Sequence, residues 1–134
     1  MKTHLWKGFL IFALIFTIIG CSHSPDTLEE YIDNNPKVKE EIQQNNITNE
    51  EYNLEIITKR NTLIYNFKFK QQFDKETIEL IKKGVKETDD ELEEQMSLVA
   101  KTLEEETGIE DIRIEVNYLS ADGSPLFKGI YKSK

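Results

Sequence analysis

Residues 54–70 read LEIITKRNTLIYNFKFK, and this stretch decides the fold. Leu54, Ile56 and Thr58 alternate with Glu55, Ile57 and Lys59. After Arg60-Asn61, residues Leu63, Tyr65, Phe67 and Phe69 alternate with Ile64, Asn66, Lys68 and Lys70. A period of two sends successive side chains to opposite faces of a strand. Two such runs across a short turn predict a β-hairpin with one apolar and one wetter face.

The pattern recurs downstream. Ile112, Ile114, Val116 and Tyr118 alternate with Arg113, Glu115, Asn117 and Leu119. Ala121-Asp122-Gly123 reads as a turn needing positive φ at Gly123. Pro125 opens a last strand through Leu126, Phe127, Ile130 and Tyr131, and its missing N–H favours a sheet edge. Between the hairpins the period changes to that of a helix. Asp74 is its N-cap, Phe73 and Ile78 form a hydrophobic staple, and the stripe runs Ile78, Ile81, Val85, Leu92, Met96, Val99, Leu103. Gly108 reads as the left-handed residue that ends it. Upstream, Asp26 and Glu29 form the signature of a capping box before a short helix with Leu28, Tyr31 and Ile32. Asn35-Pro36 opens another, with Val38 and Ile42.

Alternating strands need one covered and one wet face. The expected fold is therefore α+β, a two-layer sandwich with helices on one face of a four-stranded antiparallel sheet, in the order α-α-β-β-α-β-β. A single domain is expected over residues 26–134. A straight helix from Lys75 to Thr107 would span roughly 50 Å, longer than a domain roughly 35 Å across. A kink or break is expected between Gly84 and Asp90, or else an overhanging end.

The first 20 residues read as a cleaved signal peptide. Lys2 and Lys7 precede an apolar run from Gly8 to Gly20 that falls short of the roughly 20 residues of a spanning helix. Ile18-Ile19-Gly20-Cys21 resembles the lipobox of bacterial lipoproteins. Cleavage is expected between Gly20 and Cys21. Only a thiol takes a diacylglyceryl group as a thioether, so Cys21 is the expected lipid attachment site. Two acyl chains, with palmitate-type tails, anchor stably where one does not. Residues 21–25 are then the lipidated Cys and a short tether. The expected location is the extracytoplasmic face of the cell membrane, at the cell surface.

The chain holds 17 Lys and Arg against 25 Asp and Glu. Without Lys2 and Lys7 the cations number 15 against the same 25 acids. Such a body disfavours nucleic acid and, by general electrostatics, anionic lipid. Bacterial envelope polymers are also mostly anionic and would be held off except at a local basic patch. With Cys21, the single Cys, lipidated, no disulfide is expected.

Catalytic chemistry is poorly supplied. His23 sits in the tether, without a scaffold to align it with a nucleophile. The serines carry no motif. Glu87, Asp89, Asp90, Glu91, Glu93 and Glu94 crowd one helix, but calcium wants a loop that wraps oxygens around it, and a helix points neighbouring carboxylates apart. They read as a solvated face. No enzyme, cofactor or metal is expected. More telling is the outward face of the strands. Lys59, Lys68, Lys70 and Arg113 outweigh Glu55 and Glu115, and Ile57, Ile64 and Leu119 point the same way. A wet face needs no such aliphatics. Ile57, Lys59, Ile64, Lys68, Lys70, Arg113 and Leu119 are the candidate partner face. A solvated sheet with scattered apolar residues is the plainer reading.

Leu28-x-x-Tyr31-Ile32 with Val38-Lys39-x-x-Ile42 resembles the first helix of the lipoprotein family "domain of unknown function 4854". So does the segment Thr102–Gly108 running on through Ile112-x-Ile114-x-Val116-x-Tyr118-Leu119-x-x-Asp122-Gly123. The resemblance implies a small Gram-positive surface lipoprotein. It carries over no functional residue except Cys21. The expected role is a non-catalytic binding module acting through the exposed sheet face on an unknown protein or envelope polymer. The alternative is a membrane-tethered inhibitor or immunity-type protein against an extracytoplasmic enzyme, and a third reading is a small enzyme or cation-binding domain.

Overall fold

The computed structural model describes residues 26–134. The elements are α1 (Leu28–Asp33), α2 (Pro36–Gln44), β1 (Ile47–Thr48), β2 (Tyr52–Lys59), β3 (Thr62–Phe69), α3 (Lys75–Glu87), α4 (Asp89–Thr107), β4 (Arg113–Leu119) and β5 (Pro125–Lys132). The strands form one sheet in the order β1-β2-β3-β4-β5.

Both expected hairpins are present, and the α+β layering holds. The sheet itself corrects the expectation of four antiparallel strands: it has five, and it is mixed. β3 and β4 run parallel, with Thr62 opposite Arg113 and Lys68 opposite Leu119. The physical reason is the connection. The α3–α4 segment returns the chain to the end of the sheet where β3 began, so β4 sets off in the same direction. The fifth strand, β1, pairs only Ile47 with Leu54 and Thr48 with Asn53, too short a run to show a period.

The inward register is the expected one. Leu54, Ile56, Tyr65, Phe67, Ile114 and Val116 join Leu92, Met96 and Val99 in one buried cluster, with Leu28, Tyr31, Ile32, Val38 and Ile42 from α1 and α2. Phe67 lies between Tyr52 and Tyr118, ring centroids 5.7 and 5.4 Å away. β5 lies at the sheet edge, as Pro125 suggests.

The long helix breaks at Thr88, within the expected window. Thr88 has φ −103° and ψ 5°. Its Oγ1 donates back to the Gly84 and Val85 carbonyls at 3.3 and 3.1 Å, a local alternative to the helical ladder. Asp74 caps α3 by accepting the Thr77 N–H at 2.7 Å, and hydrogen bonding from the Thr77 side chain and then its backbone lowers the Asp74 carboxyl pKa. Gly108 ends α4 at φ +74°. The cap of α1 is Thr27 rather than Asp26. Thr27 Oγ1 accepts the Glu30 N–H at 3.1 Å, and Glu29 is taken by the β2–β3 turn instead.

Candidate functional site

The helices pack on the face bearing Leu54, Tyr65, Ile114 and their neighbours, which leaves the other face of the sheet open. Register sets its composition in rows across the strands. Lys59 faces Thr62, Thr62 faces Arg113, and Arg113 faces Lys132. The next row is Ile57, Ile64, Glu115, Ile130. The third is Glu55, Asn66, Asn117, Lys128, and the fourth begins Asn53, Lys68, Leu119. Strands lie about 4.8 Å apart and alternate residues about 6.7 Å apart, so the rows form a close grid.

The structure thus gathers Ile57, Lys59, Ile64, Lys68, Arg113 and Leu119 on one surface. Lys70 lies one residue past β3, exposed and beyond the paired rows. The sequence reading missed Lys128, Ile130 and Lys132, which belong to the same face. The pairing irregularity between Tyr118 and Leu119 disturbs the alternation of β5, and Gly129 removes one inward side chain from its pattern. Asn66 and Asn117, outward from neighbouring strands, were the available signal for the rest of the face.

Lys59, Lys68, Arg113, Lys128 and Lys132 set five cations against Glu55 and Glu115. Glu115 is already engaged. Asn117 Nδ2 donates to its Oε2 at 2.8 Å and also to Asn66 Oδ1 at 2.8 Å. Lys128 Nζ stands 3.8 Å from its Oε1. Ile57 and Ile130 are 42% and 52% exposed, in one row with half-buried Ile64. On the helix side Leu80 and Leu98 are also exposed, one on each helix.

One end of this face is tied to the start of the domain. Glu29 N–H donates to the Arg60 carbonyl at 2.8 Å, and Arg60 N–H to Glu29 Oε2 at 2.7 Å. Leu28 N–H reaches Asn61 Oδ1 at 3.0 Å, while the Asn61 carbonyl accepts the Arg113 N–H at 2.9 Å. The chain therefore enters the domain at the end of the sheet that carries Lys59, Arg113 and Lys132.

Groups with shifted acidity serve the fold. Burial pushes the Tyr65 and Tyr118 hydroxyls up. Tyr131 is raised first by burial and then by its 2.8 Å hydrogen bond to Asp89 Oδ1. Hydrogen bonds from Ser120 and Ser124 hold Asp122 at about 2, where it closes the β4–β5 turn. Among the described residues, no group of three or more His, Cys, Asp or Glu side chains is placed to hold a metal ion, and no helix is long and apolar enough to cross a membrane. Gly20 and Cys21 lie outside the described residues.

Fold and surface together define a small α+β domain with one covered and one open sheet face. Over residues 28–131 the chain matches the family described as Domain of unknown function (DUF4854), and it belongs to that family. No curated protein and no solved structure matches it.

Proposed function

We propose that the protein is a membrane-anchored surface lipoprotein whose domain is a non-catalytic interaction module, engaging an envelope component through its open sheet face. Cys21, freed by cleavage after Gly20, carries the lipid. The observation that carries this reading is the open face itself: cations and exposed isoleucines gathered on one surface of an acidic domain. A face whose only task is solvation needs charge of either sign and no aliphatic row.

The test is a footprint in intact cells. With Cys21 acylated, a cysteine introduced elsewhere is the only free thiol. Ile57→Cys and Ile130→Cys should react slowly with a membrane-impermeant maleimide on cells, and fast once purified in detergent. Leu98→Cys, on the helix side, should react fast in both states. Equal rates at all three positions on cells would refute the proposal.

A further inference from the structure

We infer that the occupant of the open face is the anionic lipid surface of the same membrane that holds the anchor. This rests on the anchoring and open-face readings above. The first argument is reach. From Cys21 to Asp26 the chain extends at most roughly 17 Å, so the domain stays beside the bilayer. So short a leash lets the face come within the roughly 8 Å over which the headgroup potential acts in physiological salt.

The second argument is charge. From Cys21 onward the chain has 15 cations and 25 acids, and a uniform body of that composition would be repelled. The charges are not uniform. The open face holds five cations to two carboxylates, and one of those two, Glu115, is held by Lys128 and Asn117. The acids of α4 belong to the other layer, where α3 is nearly balanced, with four Lys to three Glu. An acidic domain leashed to an anionic plane is turned so that its basic sheet face meets the plane.

The third argument is position. Residues 28 and 29 are bonded to the Arg60–Asn61 turn, so the leash enters at the end of the sheet bearing Lys59, Arg113 and Lys132. The cation row is the part of the face nearest the anchor. Beside it, Ile57, Ile64 and Ile130 suit the boundary between headgroups and acyl chains, where an amphipathic surface buries aliphatics below its cations. An envelope polyanion would use the cations and has no use for that row.

The experiment uses the full lipidated protein reconstituted on vesicles of phosphatidylcholine, with and without phosphatidylglycerol. An environment-sensitive fluorophore is placed on Ile130→Cys or on Leu98→Cys. The expected result is a blue shift at position 130 only, only on the phosphatidylglycerol vesicles, and reversed by roughly 1 M salt. The triple variant Lys59→Glu, Arg113→Glu, Lys132→Glu should still float with both vesicles and lose the shift. Each cation beside an anionic surface is worth roughly five-fold in contact, so three together exceed roughly 100-fold. The salt titration of the unsubstituted face carries the test if the triple variant fails to fold. Flotation without a shift, or the same shift on both vesicles, overturns the inference and leaves the anchor standing. Absence of flotation overturns the anchor, and the inference with it. A face accessible on vesicles but protected on cells assigns the surface to a protein or polymer and overturns the inference alone.

Discussion

At Gly129 one added carbon should be costly. It lies inward on β5, opposite fully buried Val116. A Cβ there would stand 2.2 Å from Tyr131 Oη, 2.6 Å from Cζ and 2.7 Å from Cε2. The Tyr131 ring lies across the glycine and is held there by its hydroxyl, which donates to Asp89 at the start of α4. Gly129→Ala therefore forces the ring out. The lost hydrogen bond to a carboxylate is worth about 1.5–3 kcal/mol. Re-exposing a third of a buried tyrosine adds about 1–2 kcal/mol at roughly 25 cal/mol per Å². Replacing glycine within a strand returns about 0.5–1 kcal/mol. The net loss is about 2–4 kcal/mol, measured by urea denaturation followed by circular dichroism. In a Tyr131→Ala background the clash is gone, and Gly129→Ala should be neutral or mildly stabilising. A cost below about 0.5 kcal/mol in the native background, or an undiminished cost without the ring, would show that the ring does not need the glycine.

Phe67→Ala removes a ring that is 2% exposed and set between two tyrosines, and should cost about 3–5 kcal/mol in the same assay. Burial holds Tyr65, Tyr118 and Tyr131 protonated above the ordinary value of about 10. Their folded pKa lies above the unfolded one, so stability is whole below pH about 10 and falls as pH rises beyond it; urea midpoints that stay level while phenolate absorbance grows would contradict this. Asp122 has the opposite sign. Its contribution is present above the ordinary carboxyl range and is lost as pH falls toward about 2, visible as weaker amide protection at Ser124. Cys21→Ser should leave an unprocessed precursor that takes up no fatty-acid label, and label on that variant would sink the lipobox reading.

What could be read from the sequence is what is encoded locally. The alternation around Tyr65 and Phe67 fixes which side of β3 is buried, since a slip of one residue would bury Asn66 and Lys68. Asp74, Thr88 and Gly108 mark helix ends through bonds within a few residues. The direction of β4 beside β3 was not legible, because no strand's own pattern records which way its neighbour runs. Thr27 displaced Asp26 as the cap of α1 because a distant turn, at Arg60, claims Glu29. The candidate face divides along the same line. Its β2, β3 and β4 members follow from simple alternation. Lys128, Ile130 and Lys132 were missed because one irregularity and one glycine blur the period of β5.

The parallel β3–β4 pair also sets an order of events. Each hairpin closes on itself over a few residues, but Asn66 meets Asn117 only when the chain between them has been looped back. That loop carries the entropy of closure before any ladder bond forms, a cost that α3 and α4 lessen by returning the chain. The join at the centre of the finished sheet is thus expected to form after the two hairpins. Until then β3 and β4 each show a bare backbone edge to any other chain still folding, and the middle of the domain, rather than its rim, is where aggregation would start.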